Sequence, residues 1–209
     1  MKHTTKLLLL LFAISFHQLI NAQQTRFAIT AGASISNWAE KVSGIKVTTK
    51  TIAGFTGGFN AFLPVSTNLN IMTGLNVVQK GTGADDPGSG QSETIKLTYI
   101  EVPLNIVYTS NGFFGGVGPT IAFGISGKDK LTDQNGTTTN TLKFGNTIDD
   151  DIKPIDIGAN IVAGYIFTNK VMITANYNFG LSNLQPSATA DDGKLVNNYF
   201  GIKLGYIFK

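Results

Sequence analysis

From residue 26 onward, apolar and polar positions alternate with a period of two. In the segment Arg26 to Ile35, Phe27, Ile29, Ala31, Ala33 and Ile35 share one face, and Arg26, Ala28, Thr30, Gly32 and Ser34 share the other. Successive side chains of an extended chain point to opposite sides, so this pattern predicts a β-strand. It recurs at residues 51–63, 69–81, 94–108, 113–126, 154–167, 171–182 and 197–208, giving eight predicted strands, most of them 12 to 15 residues long. Strands of soluble proteins usually have about 5 to 6 residues. The greater length suits a tilted crossing of a bilayer.

The predicted connections alternate in length. Pro64 to Asn68, Thr109 to Gly112 and Thr168 to Lys170 are tight turns, whereas 37–50, 82–93, 127–153 and 183–196 are long and polar. Short turns at one end and long loops at the other mark an up-and-down membrane barrel with both termini at the short-turn, periplasmic end. The runs Gly81 to Gly90 and Thr132 to Thr141, rich in Gly, Thr, Asn and Asp, are expected to be flexible loop. Strand 94–108 shifts its parity: Ile95, Leu97 and Tyr99 alternate in one phase and Val102, Leu104, Ile106 and Tyr108 in the other. A β-bulge at Tyr99 and Ile100 would reconcile them and leave Pro103 pointing inward.

The two faces differ in the way a membrane barrel requires. One carries Thr56, Asn60, Asn70, Asn76, Asn105, Asn160, Asn176 and Asn178 with few charges, which suits a crowded, hydrogen-bonded interior. A secreted soluble calyx would instead turn a charged face to water. The other face is apolar with aromatics near the strand ends. Phe27, Tyr108, Phe113, Phe167, Tyr206 and Phe208 fall toward the periplasm, and Tyr99, Phe123 and Phe179 toward the outside, so two interfacial girdles are expected. The predicted fold is all-β: an eight-stranded antiparallel up-and-down transmembrane β-barrel.

Composition fits this reading. Of 209 residues, 42% are hydrophobic and 14% charged, against about 25% charged in ordinary soluble domains. Residues 1–22 read as a signal peptide, with Lys2 and Lys6 before the apolar run Leu7 to Phe16 and the small Ala22 at the cut. Residues 23–209 then form the barrel domain. Losing the leader removes His3 and His17, the two histidines, and the chain has no Cys. Ser-His and Cys-His nucleophile pairs, His/Cys zinc sites, haem ligation and disulfides are thereby excluded. The formal charge of +3 also falls, to 14 basic against 13 acidic residues. With scattered Lys and Arg26 the only Arg, a nucleic-acid partner is not expected.

The chemistry that remains is electrostatic. Arg26, Lys80, Lys96, Glu101, Asp156 and Lys203 are expected to face the lumen, where an unpaired charge would cost several kcal/mol, on the order of the penalty for a desolvated ion. Glu101 is expected to pair with Lys203 or Arg26 in a structural plug, with an ion or proton path as the alternative. Asp149, Asp150 and Asp151, with Asp129, Asp133 and Asp156 nearby in sequence, are read as a solvated acidic loop, with Ca²⁺ as the alternative, although no EF-hand spacing is present. The glycines of GGVG at 115–118 lie inside a strand with no helix following, which argues against a phosphate loop and for close packing. No cofactor, metal or catalytic residue is expected.

Beyond these readings, the segments LNVVQKG (75–81), YIEVPLNIVY (99–108), GGVGP (115–119), IDIGANIVAG (155–164), YNFGLSNL (177–184) and GYIF (205–208) resemble the PorT-like outer-membrane β-barrel family typical of the Bacteroidota. The resemblance implies an outer-membrane location and, for some members, a part in a secretion apparatus. One departure is that Phe208, in place of a terminal aromatic read by the insertion machinery, is followed by Lys209. The partners expected are outer-membrane lipid, the barrel-insertion machinery and other envelope proteins. The expected role is a non-enzymatic scaffold or partner-binding component with a filled lumen. A surface ligand-binding or adhesion protein and a narrow passive channel are the alternatives.

Overall fold

The computed structural model describes residues 24–42, 45–86, 88–186 and 194–208. The expected signal peptide and Lys209 lie outside the described residues.

Ten antiparallel strands make one sheet: β1 (Arg26–Val42), β2 (Ile45–Thr48), β3 (Ile52–Pro64), β4 (Leu69–Asp86), β5 (Gln91–Ser110), β6 (Phe113–Asp133), β7 (Gly136–Leu142), β8 (Ile155–Ile166), β9 (Val171–Gly180) and β10 (Lys194–Phe208). The sheet closes because β10 pairs with β1 from Phe27↔Phe208 to Lys41↔Lys194. Eight strands form the wall, while β2 and β7 are short additions beyond it, on β1 and β6. Closure leaves no edge through the wall, the condition for a sheet to sit in hydrocarbon. The Asn111-Gly112 turn shows how locally the short connections are set. Both residues have positive φ, 50° and 84°, and an Asn-Gly pair adopts such a turn readily.

Long polar segments expected as loops turn out to be paired strand. Gly81 to Asp86 continues β4 and pairs with Gln91 to Lys96, and β6 runs to Asp133 and folds back as β7. Their frequent Thr residues favour extended backbone, and pairing satisfies peptide groups that a loose loop would leave to water. One wall of the barrel therefore stands taller than the wall of β8 and β9.

The expected bulge also moves. Residues Leu97, Tyr99, Glu101, Asn105 and Val107 all point inward and are buried, so β5 keeps one unbroken alternation. The extra residue sits in its partner: the register passes from Thr98↔Ser126 to Tyr99↔Gly124, leaving Ile125 unpaired in β6. What changes along β5 is the medium. Below residue 100 in height the outer face carries Leu104, Ile106 and Tyr108. Above it, the apolar side chains turn inward, as in a soluble protein.

The interior is layered. Near the short turns, Ala28, Phe62, Met72, Val107, Phe114, Val162, Met172 and Ile207 form an apolar floor. A belt of Asn and Thr follows, then a group of charges, and finally a second apolar cluster containing Trp38, Val78, Leu97, Tyr99 and Tyr199. A strap formed by residues 143–154 crosses the long-hairpin end and sends Phe144 and Ile152 onto this cluster, where Leu184 joins them. Phe144 meets Tyr99 edge to face at 5.9 Å. A side chain at Gly124 would collide with the Phe144 ring, its Cβ lying 2.2 Å away.

Candidate functional site

The belt is built from inward side chains of β3 to β6, β8 and β9, linked both between adjacent strands and across an intervening one. Asn60 and Asn76 exchange amide hydrogen bonds at 3.2 Å in both directions. Asn160 donates to Asn105 at 3.1 Å, Asn176 to Asn160 at 3.3 Å and Asn178 to Thr120 at 2.6 Å. A short amide side chain both donates and accepts, so a ring of them can satisfy itself where water is scarce. A cavity of about 10 Å³ lies among Asn60, Asn105, Asn160 and Lys203, about the space one water occupies.

Above the belt, Lys80 of β4 reaches across the lumen. Its ammonium lies 2.9 Å from Glu101 of the adjoining β5 and 3.2 Å from Asp156 of the distant β8. The faces of Tyr99 and Tyr199 flank it at 5.3 and 4.9 Å, which adds attraction from the ring quadrupoles. Tyr199 donates to Glu101 at 2.5 Å, Asn197 to Asp156 at 3.4 Å and Ser182 to Asp156 at 3.3 Å. Lys203 is buried and shares a cavity wall with Glu101. Two formal cations thus face two formal anions. Such a cluster, held from several strands, ties the wall together across its bore.

Three expectations about this region are corrected. Glu101 pairs with Lys80, not with Lys203 or Arg26, because the long Lys80 side chain, based opposite Leu97, reaches along the lumen to the carboxylate. Arg26 lies near the short turns, its guanidinium over the Phe62 ring at 5.5 Å. Lys96 is exposed on the outer wall, since the unbroken alternation of β5 gives it the opposite face from Leu97. Tyr99, expected in a girdle, is 0% exposed in the lumen: a ring above the bilayer finds its apolar partners inside. Asp156 faces the lumen.

Outside, the wall is apolar. Ile29, Phe59, Leu75, Leu104, Val117, Ile161 and Leu204 are exposed between two ends marked by aromatics. Tyr108, Phe113, Phe167 and Tyr206 are exposed toward the short-turn end, where Phe27 stacks on Phe59 at 5.4 Å and lies 6.3 Å from Phe208. Phe123 and Phe179 are exposed nearer the long hairpins. Tyr165 and Tyr177 belong to the same ends and were missed. Tyr165 bridges Phe113 and Phe167 at 4.5 and 4.9 Å, and Tyr177 meets Phe179 at 4.5 Å. Their outward parity with these rings was the available signal.

The acidic residues of the long segments are dispersed. Asp150 accepts from the Thr147 hydroxyl at 2.6 Å and backbone N–H at 2.8 Å, which holds its carboxyl below the usual carboxylate range. Asp151 accepts from the Lys143 N–H at 2.7 Å and Asp133 from the Asn135 N–H at 2.8 Å. Among the described residues, no three potential metal ligands converge.

A closed antiparallel wall with an apolar outer band, aromatic ends and a hydrogen-bonded interior defines an integral membrane β-barrel. The chain matches the outer membrane protein beta-barrel domain family over residues 21–185 and belongs to it. Its place is therefore the outer membrane, in contact with membrane lipid. Similar solved structures include the attachment invasion locus protein Ail of Yersinia pestis, 14% identical, covering 89% of this chain and 100% of that one with a TM-score of 0.48. Neisserial surface protein A is 12% identical, with 90% and 99% covered and a TM-score of 0.46. OprG from Pseudomonas aeruginosa is 12% identical, with 89% and 97% covered and a TM-score of 0.45. No curated protein matches the chain.

Proposed function

We propose that this protein is a closed, non-enzymatic outer-membrane scaffold that acts through the surfaces it presents at its long-hairpin end. On this reading it is exported by a cleaved signal peptide, keeps both termini in the periplasm, and serves as a partner-binding component of the envelope. The resemblance to PorT-like proteins of the Bacteroidota makes a secretion apparatus the partner of first choice.

The observation that carries the reading is the filled bore. The apolar floor, the Asn belt, the Lys80–Glu101–Asp156 cluster and the Phe144–Ile152–Leu184 cap lie in series along it. Eight strands enclose only enough space for side chains, so transport is a poor use of this interior. Surfaces remain.

Planar-bilayer recording of the purified protein is expected to show no steady conductance, and sustained open levels would overturn the closed reading. Co-purification after mild solubilisation is expected to recover envelope proteins that are lost when the hairpin tip of β6 and β7 is shortened. Loss of cell attachment without loss of any envelope partner would instead assign the role to adhesion.

A further inference from the structure

On the outer wall, immediately beyond the apolar band, three lysines converge without an acidic partner. Lys96 of β5 stands directly opposite Lys128 of β6 in the register, and Lys130 follows one outward position further, beside Thr94 of β5 and Thr139 of β7. All three are exposed. Like charges directly opposite each other on one face of a sheet are destabilising. Among the described residues, no carboxylate lies within 4.0 Å of any of them to offset this. The neighbouring acids are placed elsewhere: Asp129 has the inward parity between Lys128 and Lys130, and Asp85 pairs with Lys50. An arrangement that costs stability in the isolated chain calls for an anion from outside.

Its height identifies which anion. Going up the wall, Val77, Ile100, Phe123 and Ile125 end the apolar surface, and Gln79, Thr98 and Ser126 follow before the lysines begin. From Tyr108 to Ile100 the outward face is apolar; eight residues at about 3.4 Å each, tilted by about 40°, rise roughly 21 Å. That is close to the apolar band of about 25 Å in such barrels. The ammonium groups therefore stand at the level of lipid headgroups. They line a groove of about 570 Å³ together with Gln79, Thr98 and Ser126, which supply neutral donors beside the charges. The unpaired Ile125 helps to place them, because it sets Ser126, Lys128 and Lys130 facing outward.

We propose that Lys96, Lys128 and Lys130 hold the phosphate groups of an outer-leaflet glycolipid against the barrel wall. The leaflet rests on the orientation proposed above, with the long hairpins outside. Lysine binds phosphate as a point charge, and each one near an anionic surface contributes about five-fold in affinity. Removing all three is expected to lower lipid retention on the order of 100-fold if the contributions add.

The test uses the full-length protein in phosphatidylcholine nanodiscs doped with bisphosphorylated lipid A, with dephosphorylated lipid A, or with phosphatidylglycerol, and native mass spectrometry counts retained lipid. The wild type is expected to retain bisphosphorylated lipid A preferentially. K96Q/K128Q/K130Q is expected to lose that preference, the arginine triple variant to keep it, and Lys170→Gln at the opposite rim to leave it unchanged. Equal retention of phosphorylated and dephosphorylated lipid A by the wild type would overturn the proposal without recourse to any variant. A preference for phosphatidylglycerol would overturn the glycolipid assignment, and tighter binding of a soluble sulfated oligosaccharide would assign the groove to an external polyanion. Protease access to the long hairpins on intact cells reads the orientation separately.

Discussion

Lys80 holds the most consequential side-chain position in the bore, since two carboxylates and two tyrosine rings depend on one ammonium. Removing one member of a buried ionic group leaves the rest uncompensated, at a cost of about 3–5 kcal/mol. Lys80→Met is therefore expected to lower unfolding free energy by about that amount in denaturant titration of the refolded barrel. The combined variant K80M/D156N should recover part of the loss, because the buried Lys203 and Glu101 then balance each other; a double variant less stable than the single one would show that the pairing matters beyond charge balance. Leu104 makes the opposite case on the outer wall. It is 53% exposed at the middle of the apolar run from Tyr108 to Ile100, where lipid surrounds it. Leu104→Arg is expected to cost about 2–4 kcal/mol in the same titration in lipid, whereas Lys96→Arg should cost almost nothing.

Among the elements, the strap of residues 143–154 and the bulged β6 set what the hairpin end looks like. Gly124 gives the Phe144 ring its seat. Gly124→Leu is expected to expel the strap, seen as rapid proteolysis between residues 143 and 153, while the barrel below keeps its heat-modifiable migration on gels. The strap turn also responds to pH. Asp150 titrates below the usual carboxylate range because Thr147 donates to its charged form. Its contribution is therefore present above the ordinary carboxylate pKa and fades only as pH falls through the lower folded value. Hydrogen exchange at Thr147 should thus be indifferent to Asp150→Asn in strongly acidic solution and accelerated by it at neutral pH. In β6, deletion of Ile125 removes only the extra residue, because Thr98↔Ser126 and Tyr99↔Gly124 are already consecutive pairs. Plain alternation then keeps Lys128 and Lys130 outward, so the upper β5–β6–β7 sheet is expected to stay protease-resistant, and rapid cleavage there would show that the bulge itself is needed.

The whole molecule is a barrel whose apolar outer band and filled bore follow from one alternation read in two media. That alternation, the tight turns such as Asn111-Gly112, and the unusual strand lengths were legible from local sequence, because period, turn geometry and length are properties of a few consecutive residues. The inward Asn belt was legible for the same reason: once parity is known, so is the face. The ionic cluster was legible only as a set of residues. Lys80 and Asp156 stand 76 positions apart, and nothing local states that β4 and β8 face each other across the bore. Tyr99 and Lys96 were misread because parity separates two faces without saying which medium touches each. Within the bilayer the apolar face looks out; above it, where headgroups and water replace hydrocarbon, the apolar face looks in. The sequence by itself therefore determined the strands, their alternation and the closed transmembrane class. Only the tertiary structure decided which charges meet, where the lipid boundary falls on each strand, and that three lysines gather just beyond it. Those are relations between distant segments and their surroundings, which closure of the sheet alone brings into being.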